Sequence, residues 1–334
     1  MRLLLTGGCG YIGSHTAWAC EDDESTPWEV HLLDDLRNAA GPPPRRPGRR
    51  PPRFHRLDLS DGEALGQLFA AHRFDAVVHF AALKSVDESL AHPLDYYDNN
   101  VGGLVQLLRQ MDRHGCRQLV FSSSATVYGD APSPLAEDDP PGRLTTPYGR
   151  TKAMGEQILA DLAAADPRWR IAVLRYFNPV GAHPSGALAE RPRGRPANLM
   201  PCLLRALRSG EPFRIYGDDY PTPDGTCQRD YIHVMDVAEA HLAALCTLAT
   251  AAGGVLTANL GTGRPHSVRE VVRAVEAAAG RPVLTVQAPR RPGDCASVFA
   301  AAGRAERLLG WRSRRTLEDM CRDALRSCEA PCEQ

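Results

Sequence analysis

Two side chains four positions apart, Tyr148 and Lys152 in Tyr148-Gly149-Arg150-Thr151-Lys152, carry groups that can do acid–base chemistry together. At i and i+4 of a helix they share one face, and an ammonium beside a phenol favours the phenolate, lowering the tyrosine pKa from about 10 toward the working range. Such a tyrosine removes a hydroxyl proton while hydride leaves the same carbon for a nicotinamide. Upstream, Phe121-Ser122-Ser123-Ser124 ends a strand-like run and offers Ser124 as a hydrogen-bond partner for the reacting oxygen. Serines at a strand end can equally serve local backbone groups. Near the N-terminus, Thr6-Gly7-Gly8-Cys9-Gly10-Tyr11-Ile12-Gly13 spaces glycines at 7, 10 and 13 between a strand-like and a helix-like segment. That spacing allows a tight turn, close backbone approach to a pyrophosphate, and a helix N-terminus facing the anion. Asp34, 21 positions past Gly13, stands where a carboxylate accepts adenosine ribose hydroxyls and repels a 2′-phosphate, which favours NAD over NADP. Arg37 argues the other way and is ranked lower, as a solvent-facing loop arginine. Asp58 suits a hydrogen bond to the adenine or, blandly, a helix cap.

The elements that must position these groups are legible as an alternation. Strands are expected over 2–6, 30–33, 54–57, 76–80, 118–122 and 171–175, with helices near 12–20, 62–72, 102–114 and 148–165. Alternating strands and helices predict an α/β fold with a doubly wound parallel sheet, which binds ligands beyond the carboxyl ends of its strands. From about residue 178 the pattern loosens into Pro and Gly clusters, a helix led by Pro201, and helices near 234–248, 267–280 and 317–327. We therefore expect a Rossmann-like domain over 1–177 and a smaller mixed α/β substrate-binding lobe over 178–334, some of whose later segments return to the first domain. The stretch 41–53, rich in Pro and Arg, reads as a solvated loop.

Composition narrows the class. The chain of 334 residues is 43% hydrophobic and balances 39 basic against 40 acidic residues, so neither nucleic acid nor an anionic membrane is an expected partner. No apolar run reaches the roughly 20 residues of a membrane span, and no signal peptide is read at the N-terminus, so a cytoplasmic enzyme is expected. The ten cysteines include no Cys-x-x-Cys, the closest pair being Cys328 and Cys332, and no His cluster shows zinc spacing. Reduced thiols and no metal are expected. Only Lys84 and Lys152 of the basic residues are lysines. Where a compact ammonium must tune a neighbour's proton affinity arginine does not substitute, so those two positions stand out.

Glycine motif, serine, tyrosine and lysine together resemble the extended short-chain dehydrogenase/reductase family. Further stretches are similar to its UDP-glucose 4-epimerase branch: Phe80-Ala81-Ala82-Leu83-Lys84, Tyr97-Asp98-Asn99-Asn100, Ser122 to Gly129, Arg175-Tyr176-Phe177-Asn178-Pro179-Val180-Gly181, and Arg229-Asp230-Tyr231-Ile232-His233-Val234. The resemblance implies a homodimer that holds NAD and interconverts UDP-sugars through a 4-keto intermediate. It implies Tyr148, Lys152 and Ser124 as catalytic, and a cofactor site of Gly7, Gly10, Tyr11, Ile12, Gly13, Asp34, Asp35, Leu36, Asn38, Asp58, Leu59, Phe80, Ala81, Ala82, Lys84, Asn99, Ser122, Tyr176 and Phe177 beside Tyr148 and Lys152. For the substrate it implies Lys84, Ser124, Tyr148, Phe177, Asn178, Asn198, Leu199, Ile215 and Tyr216, with Arg229 and Arg291 on the diphosphate, Asp294 facing uridine and Val298 near the sugar. Relatives that dehydrate nucleotide sugars, the closest alternative, carry Asp-Glu where this chain has Ala125 and Thr126, so that chemistry is disfavoured. Val298 is small where some relatives carry tyrosine, which implies room for N-acetylated sugars.

Overall fold

Strand segments apolar on both faces must be covered on both sides, and here helices do the covering. The computed structural model describes residues 1–190, 196–291 and 293–329; Cys332 lies outside them. In chain order the strands are β1 (Arg2–Thr6), β2 (Glu29–Asp34), β3 (Arg53–Arg56), β4 (Ala76–His79), β5 (Gln118–Ser124), β6 (Arg170–Tyr176), β7 (Asn178–Val180), β8 (Phe213–Tyr216), β9 (Gln228–His233), β10 (Gly254–Leu260), β11 (Pro265–Ser267), β12 (Thr285–Ala288) and β13 (Ser297–Val298). The helices are α1 (Tyr11–Asp22), α2 (Gly62–His72), α3 (Val86–Ala91), α4 (Pro93–Tyr96), α5 (Gly103–Arg113), α6 (Pro147–Ala165), α7 (Leu199–Ser209), α8 (Val234–Thr250), α9 (Val268–Ala279), α10 (Arg304–Leu309) and α11 (Leu317–Glu329).

Seven strands form one parallel sheet in the order β10-β6-β5-β4-β1-β2-β3. Strand order reverses between β1 and β4, so the crevice past Thr6 and His79 is the expected ligand position. Side-chain alternation sorts the core: Leu3, Leu5, Leu32 and Val78 face α1 and α8, whereas Leu4, Leu33, Val77 and Leu119 face α2, α5 and α6. A second core of Val180, Leu203, Ile215, Tyr231, Val271 and Met320 lies in the smaller lobe, built on β7, β9, β11 and β13 and on the β8–β12 pair.

The alternation read in the first half is present, with boundaries shifted by one or two residues in most cases. Sequence reading passed over β10, which pairs with β6 from Gly254 opposite Arg170 to Leu260 opposite Tyr176. Its polar residue Asn259 obscures the strand pattern and is satisfied inside: its Nδ2 donates to Leu135 O at 2.8 Å and its Oδ1 accepts from Tyr128 Oη at 2.7 Å. Before α5 the chain winds into a π-helical turn over Tyr97–Gly102, a local expansion that the sequence pattern did not show.

Candidate active site

The turn after β1 is shaped by what its glycines lack. Gly7 sits at φ 67°, and a Cβ there would meet Ala81 N at 2.7 Å; one on Gly13 would meet Gly7 O at 2.5 Å. The first turn of α1 therefore lies directly against the end of β1, with Gly10 at its N-cap and no side chain capping it. Uncapped amides at a helix N-terminus are a fitting cradle for a pyrophosphate. At the end of β2, Asp34 accepts hydrogen bonds from Cys9 N at 3.0 Å and Leu36 N at 2.9 Å, which brings its carboxylate against the glycine turn. Burial pushes the Asp34 carboxyl up, and those two amides oppose the shift.

Arg37 is not the detached loop arginine of the sequence reading. Its guanidinium reaches Asp35 at 3.2 Å, Asp58 at 3.1 Å and Asn99 Oδ1 at 3.3 Å, so carboxylates already balance its charge. Asp58 also accepts from Ser60 N at 2.8 Å in the turn before α2, but it is not that helix's cap, a role that Asp61 takes by accepting from Ala64 N at 3.0 Å. Asn38 is exposed on the adjoining loop, and Leu59 is buried in the core with residues of α2 and α5.

The chemical groups converge from β5 and α6. Pro147 at the first helical position and the Thr146 side chain, accepting from Gly149 N at 3.2 Å, start α6 and place Tyr148 in its first turn. Lys152 follows one turn on, 4% exposed, and donates to Ser122 O at 2.8 Å, while its Nζ lies 5.9 Å from the Tyr148 ring centre. Burial lowers the Lys152 ammonium to about 8, and Glu156, one further turn along, pulls it back up. Tyr148 does not show the lowered pKa that the Tyr/Lys spacing predicted. Burial raises its phenol above the ordinary value, the Ser124 hydroxyl alone opposes this, and the ammonium is turned toward a carbonyl instead. Ser124 Oγ itself accepts from Thr126 N at 3.2 Å and Thr126 Oγ1 at 3.0 Å. Two donors on its lone pairs leave its own proton for the phenol oxygen.

A polar network unread in the sequence supports this line of groups. Ser123 Oγ donates to Glu156 Oε1 at 2.5 Å, Arg175 bridges Glu156 at 2.6 Å and Tyr128 Oη at 2.9 Å, and Tyr128 continues to Asn259. Asn100, buried on the π-helical turn, holds Leu83 N at 2.8 Å and donates to Thr151 Oγ1 at 3.1 Å, which fixes the Phe80–Lys84 loop to α6. The i, i+4, i+8 series Tyr148, Lys152, Glu156 was the available signal for Glu156. Phe80 packs its ring 4.8 Å from His241, and Tyr176 Oη shares a 2.6 Å hydrogen bond with the same imidazole. His241 is lowered to about 4 by burial and stays neutral. Ala81 and Ala82 are half-buried beside them.

On the smaller lobe Asp230, fully buried, collects Thr262 N, Gly263 N and Ala300 N on its carboxylate, binding β9 to the loop after β10 and to the segment after β13. Asn178 donates to Asp230 O at 3.0 Å. The β13–β9 pairing sets Val298 level with Arg229, whose guanidinium meets Asp294 at 3.2 Å. Arg291 stacks 4.0 Å over the ring of Tyr216 on β8, and Ile215 on the same strand is buried. Phe177 and Val298 share a cluster with Val127, Tyr128 and Leu135. Tyr11 donates from α1 to Gly181 O at 2.7 Å, and Ile12 packs on the main core. Lys84 pairs with Glu190 at 3.2 Å, and Asn198, beside Leu199, donates to the same carboxylate at 2.8 Å.

Residues 3–261 match the model of the NAD dependent epimerase/dehydratase family. The chain is similar to the UDP-glucose 4-epimerase of Bacillus subtilis (strain 168), at 48% identity over 331 residues, 98% of this chain and 96% of the relative. That of Neisseria meningitidis serogroup B is 47% identical, over 97% of this chain and 96% of its own. Among solved structures, the Bifidobacterium longum UDP-glucose 4-epimerase in complex with NAD+ and UDP aligns with TM-score 0.90 at 42% identity, over 98% of both chains. The Stenotrophomonas maltophila enzyme with bound NAD and formylated UDP-arabinopyranose aligns with TM-score 0.91 at 45% identity, again over 98% of both.

Lys152 gives the site a stability signature. Its folded pKa of about 8 lies below the ordinary 10.5, so between those values the unfolded chain binds more protons and its contribution to stability rises with pH. Lys152→Met should remove that rise. Urea unfolding should show the wild type gaining on the variant from pH 8 to pH 10; parallel curves would mean the ammonium is not desolvated.

Proposed function

The chain belongs to the NAD dependent epimerase/dehydratase family, and from that premise we propose that it interconverts UDP-glucose and UDP-galactose through a 4-keto sugar, with NAD retained throughout. The observation that carries this reading is the meeting of Tyr148, Ser124 and Lys152 beyond the carboxyl end of β5, beside a glycine turn shaped for a pyrophosphate. When bound, NAD would supply reversible hydride acceptance for the carbinol carbon at the sugar C4. Tyr148 Oη accepts the proton of the sugar 4-hydroxyl and later gives it back, and the Ser124 proton steadies the oxygen that gains charge. Lys152 supplies a nearby positive charge, kept in place by Ser122 O and by Glu156.

Because the keto sugar must turn over between the two transfers, the nucleotide is gripped and the sugar is not. Arg229 and Arg291 serve the diphosphate, Tyr216 and Asp294 the uridine, and Asn178, Asn198 and Leu199 the path between. Arg229 exchanges its partner Asp294 for phosphate oxygens on binding. The glycines 7, 10 and 13, with Asp34, Asp58 and Asn99, serve NAD, and an Arg37 already occupied by Asp35 and Asp58 supports NAD over NADP. Ala125 and Thr126 lie on the short turn after Ser124, where neither can expel a hydroxyl as a dehydratase must.

No helix among the described residues is long and apolar enough to cross a membrane. The nine described cysteines are free, which fits the reducing cytoplasm. A homodimer is supported by exposed apolar side chains on three mutually packed helices: Leu90 on α3 at 58% exposure, Leu94 on α4 at 79% and Met154 on α6 at 44%. Light scattering should give twice the chain mass, and Leu94→Glu should shift it toward the monomer; a monomeric wild type would remove this part.

Purified protein given UDP-galactose should form UDP-glucose without stoichiometric NADH release. Tyr148→Phe should keep NAD and lose about 100-fold or more of its turnover; an undiminished rate would refute the mechanism. Val298, packed in one cluster with Phe177, is smaller than the tyrosine some relatives carry there, so UDP-N-acetylglucosamine should also turn over, a point that the absence of any acetylated product would overturn.

A further inference from the structure

The β2–β3 edge of the sheet carries three imidazoles that no step of the epimerisation uses. Register sets His31 opposite Arg53 and Leu33 opposite His55, so His31 and His55 leave the sheet on the same face. Helix α2 covers that face and ends at His72. His31 Nδ1 lies 2.9 Å from His55 Nε2, and one ring nitrogen from each of the three histidines lies within 4.8 Å of the others. It is the only such group among the described residues. His31 is fully buried; its Nε2 faces Glu29 Oε1 at 3.5 Å and has no hydrogen-bond partner within ordinary limits.

We propose that His31, His55 and His72 bind a divalent transition-metal ion of the zinc class, with a fourth position open to water. Imidazole nitrogens suit zinc, nickel and copper. Metal–nitrogen bonds of about 2.0–2.1 Å in a tetrahedron place neighbouring nitrogens about 3.3 Å apart, between the closest observed pair and the outer limit of the cluster. The half-exposed His72 at the end of α2 supplies the third ring nitrogen. The Glu29 carboxylate favours the proton of His31 on Nε2, which leaves Nδ1 with its lone pair toward the cluster, the arrangement by which an outer carboxylate orients a ligating imidazole.

Arg2, Arg50 and Arg53 gather around Glu29 at 3.1, 3.9 and 3.6 Å. Their charge opposes any cation bound only by electrostatic attraction. The site therefore draws on nitrogen donors and discriminates against magnesium and calcium, which require oxygen ligands. Metal would clamp β2, β3 and α2 together, and β2 ends at Asp34 while Asp58 follows β3. The clamp stiffens the adenosine side of the proposed cofactor site without taking part in the chemistry.

The test uses untagged, NAD-loaded protein, stripped with a chelator and titrated with zinc by calorimetry. His55→Gln and His72→Gln alter half-exposed residues outside the catalytic machinery, so both should turn over UDP-galactose as the wild type does. The wild type should bind one more zinc equivalent than either variant, or bind it at least about a hundredfold more tightly, and only the wild type should gain melting temperature as zinc is added. Zinc uptake with the same stoichiometry and affinity in all three proteins overturns the proposal, as does a wild type with no zinc binding at micromolar concentration.

Discussion

A lysine ammonium stripped of water constrains the rest of the structure. A cation as buried as Lys152 persists only if its surroundings return what hydration supplied. Ser122 O accepts one of its protons and Glu156 answers its charge, and Glu156 is in turn held by Ser123 and Arg175. Arg175 reaches Tyr128, and Tyr128 reaches Asn259. Followed outward, the partners of one ammonium tie α6, β5, β6, the short turn after Ser124 and β10 into a single hydrogen-bonded set. Such a set is costly when incomplete and rigid when complete, and the hydroxyl pair proposed to act on the sugar would draw on that rigidity.

Asp230 does for the smaller lobe what Lys152 does for the sheet. It is also fully buried, and backbone amides around it replace its lost water. The difference in sign suits the difference in task. A buried cation near Tyr148 favours developing negative charge, whereas a carboxylate saturated by amides offers nothing to a substrate and serves only to hold β9, with Arg229 on it, in register with Val298.

The half of the fold that alternates was legible because its central strands β1, β4 and β5 are apolar and buried along almost their whole length, as continuous apolar runs between helical patterns. The glycine turn was legible for a related reason: Gly7 and Gly13 are positions where any side chain would strike backbone. Strand β10 was not, since the polar residue that breaks its pattern is satisfied only by groups more than a hundred residues away. Glu156 and Asp230 look like ordinary surface charges until their partners are placed. The imidazoles at 31, 55 and 72 lack any metal-ligand spacing because they come from two strands and a helix end that only tertiary structure brings together. The proton affinity of Tyr148 ran against the sequence expectation, because spacing reports which groups share a face and not which way an ammonium turns or how much water is lost.

That last correction sharpens the central claim. With burial holding the Tyr148 phenol above its ordinary pKa and Lys152 facing a carbonyl, positive charge added close to the phenol would favour the phenolate, and a cationic nicotinamide ring would bring it. The direct measurement is an ultraviolet titration of tyrosinate absorbance in the wild type and in Tyr148→Phe, each stripped of cofactor and then reloaded with NAD. The account predicts one tyrosine, absent from the variant, that titrates at distinctly lower pH when NAD is bound. A titration unchanged by the cofactor, or the same in both proteins, would contradict it.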